Sequence, residues 1–288
     1  MTKDTKKEKP KGFVARLPFI GGHRPLVGVI RLEGVIGHAG VGRRGMTLEG
    51  LAPAIERAFA LRGLDAVALE INSPGGSPVQ SDLIASRIRD LADEKKMPVT
   101  AFCEDAAASG GYWLACAADE IYAMPGSIVG SIGVVSAGFG FVDAIEKLGI
   151  ERRVHTAGKE KAILDPFRPE KASDVKILKR IQADLHSQFT TWVSDRRGDR
   201  LPDGKDLFTG AFWTGQEAVT LGLVDGLGSR RRVMRDRFGE KVRFRATVRP
   251  KSRLRRLFGM DSFFDPAEMG DAVLDRLEER THWQRLGI

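Results

Sequence analysis

The chain reads as an α/β protein, a parallel sheet wrapped by helices, and three observations carry that reading. Short, mostly apolar, β-branched runs such as LVGVIRL (26–32) and AVALEI (66–71) have the length and composition of buried strands. Stretches between them place apolar residues three and four apart, the period of a helix face. The two patterns alternate along the chain, the order expected of parallel strands joined by helical crossovers.

Taken in order, the first strand covers 26–32, and Thr47 then caps a helix carrying Leu48, Leu51, Ile55, Ala58 and Phe59 inward. Gly63 stops that helix before the strand at 66–71. The turn NSPGGS (72–77) leads into a second helix with Ile84, Ile88 and Leu91 on its inner face, followed by a strand at 98–103. Ser109 opens a third helix, and 120–123 is a strand again. Functional loops of such sheets lie beyond the carboxyl ends of the strands, where NSPGGS and EDAAASGG (104–111) both fall. Further on, a strand ends at Thr156, the loop GKEKAILDPFRP (158–169) follows, and a helix spans 170–196. Its Ile177, Ile181, Leu185 and Phe189, spaced by four, suit either the core or a subunit contact. The tail from 265 to 286 carries Ala272, Val273, Leu274, Leu277 and Trp283 among charges, the pattern of a short amphipathic helix docking on a partner or on the chain itself.

At 288 residues the chain can bury a sizeable core, and 42% hydrophobic with 29% charged residues excludes a disordered polymer. Cys103 and Cys116 sit in apolar surroundings without metal-ligand spacing, as buried small hydrophobes do. The formal charge of +8 is concentrated in two places. Residues 229–256 hold thirteen Arg or Lys against Asp236 and Glu240, and 1–11 hold five Lys against Asp4 and Glu8, so the remainder is acidic. A solvated charged face or contact with an anionic membrane surface accounts for the basic segment. Nucleic acid is not expected, because few aromatics interleave the charges and no recognition motif accompanies them. Three segments follow: a basic arm at 1–22, a catalytic domain at 23–228, and a basic, helical C-terminal extension at 229–288. Nothing approaches the ~20 apolar residues of a membrane span, and the apolar stretch near the start is too broken for a signal peptide. The expected location is the cytoplasm, with peripheral contact to the membrane's inner face as a further expectation.

The chemistry centres on AAASGGYWLACAADEIYAMPGSIVGSIGV (106–134). Ser109 stands between three alanines and two glycines, so another backbone can approach its hydroxyl closely. The alternative is a plain helix N-cap, a role serine commonly takes. Acyl transfer needs a nucleophile, a base and N–H groups aimed at the developing oxyanion. Gly75 and Gly76 follow a strand end and can adopt backbone angles other residues resist. The N–H of Gly110, next after Ser109, is the natural second donor. For the base, none of the five histidines has a triad context, with His155 at a strand end reading as structural. A lysine kept uncharged by desolvation is the other solution, and Lys159 and Lys161 are both candidates.

The segments INSPGGS, AAASGGYWLACAADEIYAMPGSIVGSIGV, GKEKAILDPFRP and FTGAFWTGQEAVTLGLVDGLGS together resemble the signal peptide peptidase A (protease IV) family, Ser–Lys proteases of the Clp-protease/crotonase-like fold. The resemblance runs from about residue 26 to 228 and implies roles for individual positions. It makes Ser109 the nucleophile, Lys161 in KAILDP the general base, Gly76 and Gly110 the oxyanion donors, and Ser131 the hydroxyl that orients the lysine amine. It also implies a ring of identical subunits, about eight, with the dyad completed across a subunit contact. The expected activity is endoproteolysis of extended or membrane-released apolar peptides through an acyl-enzyme, without a cofactor. An acyl-CoA-processing enzyme on the same fold and a non-catalytic peptide or membrane-surface scaffold are the competing readings.

Overall fold

Eight strands form one sheet in the order β6-β5-β3-β2-β1-β8, with β4 attached to β3 and β7 to β4. The computed structural model describes residues 24–37, 45–247, 283–284 and 286–287. The strands are β1 (Leu26–Glu33), β2 (Leu64–Ser73), β3 (Val99–Ala108), β4 (Glu120–Ala123), β5 (Ile128–Gly130), β6 (Phe212–Thr214), β7 (Gly226–Leu227) and β8 (Arg243–Ala246). Every pairing is parallel except that of β5 with β6. The parallel α/β expectation therefore holds.

The helices α1 (Leu48–Phe59), α2 (Pro78–Lys95) and α3 (Gly110–Ala115) follow β1, β2 and β3 in turn. Ile55, Ile84, Ile88 and Leu114 bring one face of each helix onto Ile30, Leu69 and Ile71 of the sheet, all without exposed surface. Burying one such side chain is worth about 1.5–3 kcal/mol, so this layer is the main source of cohesion. Tyr112 and Trp113 lie in it, at 0% and 5% exposure, which makes them core rather than pocket residues. Tyr112 spends its hydroxyl on Leu223 O at 2.7 Å. The second face is covered by α7 (Arg230–Phe238), whose Met234 packs on Val27, Val29, Ala66 and Phe102.

The basic segment is thus built into the sheet as far as it is described. Arg230 pairs with Glu70 at 2.9 Å, Arg235 with Glu240 at 3.2 Å, and Arg237 with Glu120. Arg231 and Arg232 remain on the outer side of α7. In β8, Phe244 packs under α7 while the flanking Arg243 and Arg245 are exposed. Strand alternation puts those two arginines on the opposite face of the sheet from α7.

Two local expectations are corrected, and one open alternative is narrowed. Residues 104–108 belong to β3 and are not a loop, because Ala106, Ala107 and Ala108 continue the ladder against β5. No strand ends at Thr156, since 151–156 lack ladder partners, and His155 is exposed in that irregular stretch. In α5 (Ala172–Arg197) only Phe189, Val193 and Arg197 are buried, whereas Ile181 is 46% exposed, so most of that apolar stripe is not core. The other helices are α4 (Val142–Lys147), without a buried residue, and α6 (Gly215–Thr220). The arm at 1–22 and most of the tail lie outside the described residues. Trp283 and Leu286 pack on Ala106, Ala108 and Ile128.

Candidate active site

A register change in the central ladder sets up the site. Ile71 of β2 pairs with Cys103, yet Ser73 pairs with Ala107, so β3 carries two extra residues over that interval. Asn72 spans the gap: its Oδ1 accepts the Ala106 N–H at 3.2 Å and its Nδ2 donates to Asp105 Oδ2 at 2.9 Å. The bulge shifts β3 relative to β2, and Ser109 comes to lie beside the turn that follows β2.

Ser109 stands alone between β3 and α3, at φ 52° and ψ −121°. A non-glycine residue held in such a region costs about 1–3 kcal/mol, so its surroundings must pin it. They do. The Ser109 N–H donates to Gly130 O at 2.8 Å, and its carbonyl accepts the N–H groups of Tyr112 and Trp113 at 2.9 and 3.0 Å. The hydroxyl, by contrast, makes no capping bond. Thr47, Ser77, Thr214 and Ser229 each accept the N–H three residues on at their own helix starts. Ser109 departs from them because its backbone lies outside the extended region that cap residues favour. The plain N-cap alternative is overturned.

The glycine turn closes over this serine. A β-carbon at position 75 would stand 2.7 Å from Ser109 Cβ, closer than real β-carbons approach, and a tight 3.0 Å from Gly110 N. Gly75 and Gly76 have φ 109° and 141°, angles that side chains resist. The Gly75 N–H is taken by Ser73 Oγ at 3.2 Å, and its carbonyl accepts the Ile36 N–H at 2.8 Å. In a trans peptide the next N–H points the opposite way from that carbonyl, so the Gly76 N–H is directed away from Ile36. It donates to nothing among the described residues, and neither does the N–H of Gly110. Gly110 itself is hemmed in by Ser81 Oγ and Ile36 Cδ1.

Ser131 follows Gly130 at φ 53°, held by its N–H on Ala211 O at 2.7 Å. The chain thereby brings Ser109, Gly75, Gly76, Gly110 and the Ser131 backbone into one neighbourhood. Lys161 is not joined to them within a single chain. It lies exposed, and neither its amine nor that of Lys159 makes a hydrogen bond or ion pair among the described residues. Both lysines sit in a segment whose apolar groups are also uncovered, with Val135, Phe139, Leu148 and Ile150 exposed by 66, 82, 73 and 55%. Sequence reading missed Asn72 and Ser73, although the polar pair closing β2 was a usable signal. It also missed Ile36, which no pattern marks.

Taken together, the bulged parallel sheet and the serine set against paired glycines define an α/β protein of the Clp-protease-like class. Residues 92–240 match Peptidase family S49, and the chain belongs to that family. It is 50% identical over 270 residues to the protein named Na(+)/H(+) antiporter NhaA of Brucella abortus (strain 2308), covering 90% of this chain and 36% of that one. It is 34% identical over 164 residues to Serine protease SPPA, chloroplastic, of Arabidopsis thaliana, covering 57% and 24%. Protease 4 of Salmonella typhi is 34% identical over 167 residues, covering 57% and 26%. The chain thus spans little more than a third of the Brucella protein.

Proposed function

We propose that the chain is a serine endopeptidase in which Ser109 is the nucleophile, Lys161 the general base, and the N–H groups of Gly76 and Gly110 the oxyanion donors. The observation that carries this reading is the Ser109 hydroxyl, which makes no capping bond and no other hydrogen bond among the described residues, on a strained backbone set close to Gly75. Membership of a peptidase family supports the same chemistry over an acyl-CoA-processing enzyme or a scaffold. Ser109 Oγ attacks the scissile carbonyl carbon while the Lys161 amine takes its proton, and the carbonyl oxygen becomes an anion facing the two amides. Collapse expels the amine half of the peptide, which receives that proton, and water then hydrolyses the acyl ester.

A lysine exposed on one copy can serve a serine on another. The uncovered apolar side chains of the same segment supply the contact, and a dry contact is where a lysine amine most readily loses its charge. The reading therefore includes a closed ring of identical subunits, about eight, with Ser131 orienting the incoming amine. Extended apolar peptides are the substrates, since an enclosed ring excludes folded chains, and no cofactor enters the reaction. Among the described residues no helix is long and apolar enough to cross a membrane. We accordingly attribute the antiporter name of the Brucella relative to the part of it that this chain does not match. Peripheral contact with anionic lipid would rest on Arg231 and Arg232. Unchanged vesicle binding after Arg231→Glu with Arg232→Glu removes it.

Peptide cleavage by wild type, Ser109→Ala, Lys161→Ala and a mixture of the two variants tests the reading. Each variant alone should be inactive. Co-assembly of equal amounts should restore about a quarter of the sites, those with an intact serine beside an intact lysine. Full activity of either variant defeats the assignment, and a mixture that stays inactive defeats sharing between copies.

A further inference from the structure

Ser73 closes β2 immediately ahead of the glycine turn, and none of its surface is exposed. Its Oγ donates to Gly34 O at 2.7 Å and accepts the Gly75 N–H at 3.2 Å. A hydroxyl carries one proton and two lone pairs, so one oxygen makes both bonds at once. Behind it, the Ser73 carbonyl presses on the helix that follows the nucleophile: a β-carbon at Gly111 would stand 2.6 Å from that oxygen. One small residue therefore ties together the end of β1, the glycine turn and α3.

The turn needs such a tie. Two consecutive glycines permit the close approach to Ser109, but the same freedom leaves their peptide planes free to rotate. Ile36 holds one side, through its N–H on Gly75 O and its carbonyl on Ser77 N, each at 2.8 Å. The Ser73 hydroxyl holds the other. It also occupies the Gly75 N–H, so that only the Gly76 N–H of the turn is left to meet a negative oxygen.

We propose that Ser73 is the positioning residue of the oxyanion pocket, fixing the Gly75–Gly76 peptide so that the Gly76 amide faces the tetrahedral intermediate on Ser109. This rests on the peptidase reading above. Ser73 touches no reacting atom. Its loss should weaken binding of the transition state and leave substrate binding alone.

The test is Ser73→Ala in the full chain, with peptide hydrolysis measured beside thermal unfolding and assembly mass. One oxyanion donor is worth about 10²–10³ in kcat, and a misaimed donor should forfeit about 10–100-fold of it, with KM changed less than about twofold. A peptidyl boronate, which forms a tetrahedral adduct on a serine, should lose affinity by a similar factor. The uncleaved peptide bound to a Ser109→Ala background should not. Ser73→Cys keeps the shape with weaker hydrogen bonds and should fall between, which covers an alanine variant that does not fold.

A folded Ser73→Ala enzyme with unchanged kcat overturns the proposal. So does a parallel loss of boronate and peptide affinity, and so does a chain that folds with neither substitution, since Ser73 is then purely structural. A wild-type chain that cleaves no peptide and takes up no boronate overturns the peptidase reading, and this inference with it. A cleaving wild type matched by Ser73→Ala overturns this inference alone.

Discussion

Gly75 and Ser109 face each other at the ends of the two central strands, so close that a β-carbon on the first would stand 2.7 Å from the β-carbon of the second. The contact joins a turn after β2 to a turn after β3, and neither could be moved without the other. Gly75→Ala should therefore act on the site from two directions. It strains a backbone at φ 109° and pushes Ser109 away from the amides it shares the pocket with. We expect kcat/KM to fall by at least about 100-fold, with about 1–3 kcal/mol lost in stability, read by peptide hydrolysis and urea titration. Wild-type turnover in Gly75→Ala would mean that the turn does not approach the reacting centre.

The uncovered apolar groups predict self-association. Phe139 is 82% exposed and Leu148 73%, in a segment that also carries Lys161. Phe139→Asp combined with Leu148→Asp should shift the sedimentation coefficient toward that of a 31.6 kDa monomer and remove peptide cleavage with it. An unchanged sedimentation coefficient would assign the contact to other residues.

Arg197 anchors the C-terminal end of α5. At 3% exposure it donates to Gly222 O at 2.8 Å and to both oxygens of Asp225 at 2.8 and 3.1 Å. Asp225 Oδ2 also accepts the Ile121 N–H at 2.7 Å. Arg197→Ala leaves that carboxylate with Arg200 at 3.2 Å and the Ile121 N–H, so the loss should be about 1–3 kcal/mol, that of a charged hydrogen bond and not of a stranded buried charge. Chemical denaturation measures it. A loss below 1 kcal/mol, estimated on the same scale as an exposed pair, would show that water replaces the guanidinium there.

The two thiols predict a pH dependence. Burial pushes Cys103 from 9.0 to about 12, with Cys116 nearby adding to the rise. Burial likewise pushes Cys116 from 9.0 to about 12, against the opposing pull of Arg197. In the unfolded chain both deprotonate near 9, so above that pH the unfolded state binds fewer protons than the folded one. Stability should be level below pH 9 as far as these groups are concerned, and should fall as pH rises from 9 toward 12. Denaturation of wild type and Cys103→Ala/Cys116→Ala across that window isolates the effect, as the variant should lose less with rising pH. Native thiols should also resist alkylation at pH 8 and react after unfolding. Rapid alkylation of the folded chain would contradict their burial.

Much of this protein was legible one segment at a time, because helix and strand periods and turn chemistry are local. Thr47, Ser77, Gly75 and the apolar faces of α1 and α2 all stand where residue spacing alone puts them. The serine-glycine segment was equally readable, since small residues around a hydroxyl mark a crowded backbone wherever they fold. Only the tertiary structure distinguished Ser109 from an ordinary cap, because a positive φ and a hydroxyl unbonded among the described residues depend on Gly130 and Gly75 arriving from elsewhere. The same holds for the strand through 104–108, whose polar start hides a ladder completed by β5 and by the Asn72 side chain. Patterns within a segment follow from its own backbone geometry. Which amide of the glycine turn stays unbonded among the described residues is decided by contacts that spacing does not show, the Ser73 hydroxyl beside it and Ile36 from a distant segment.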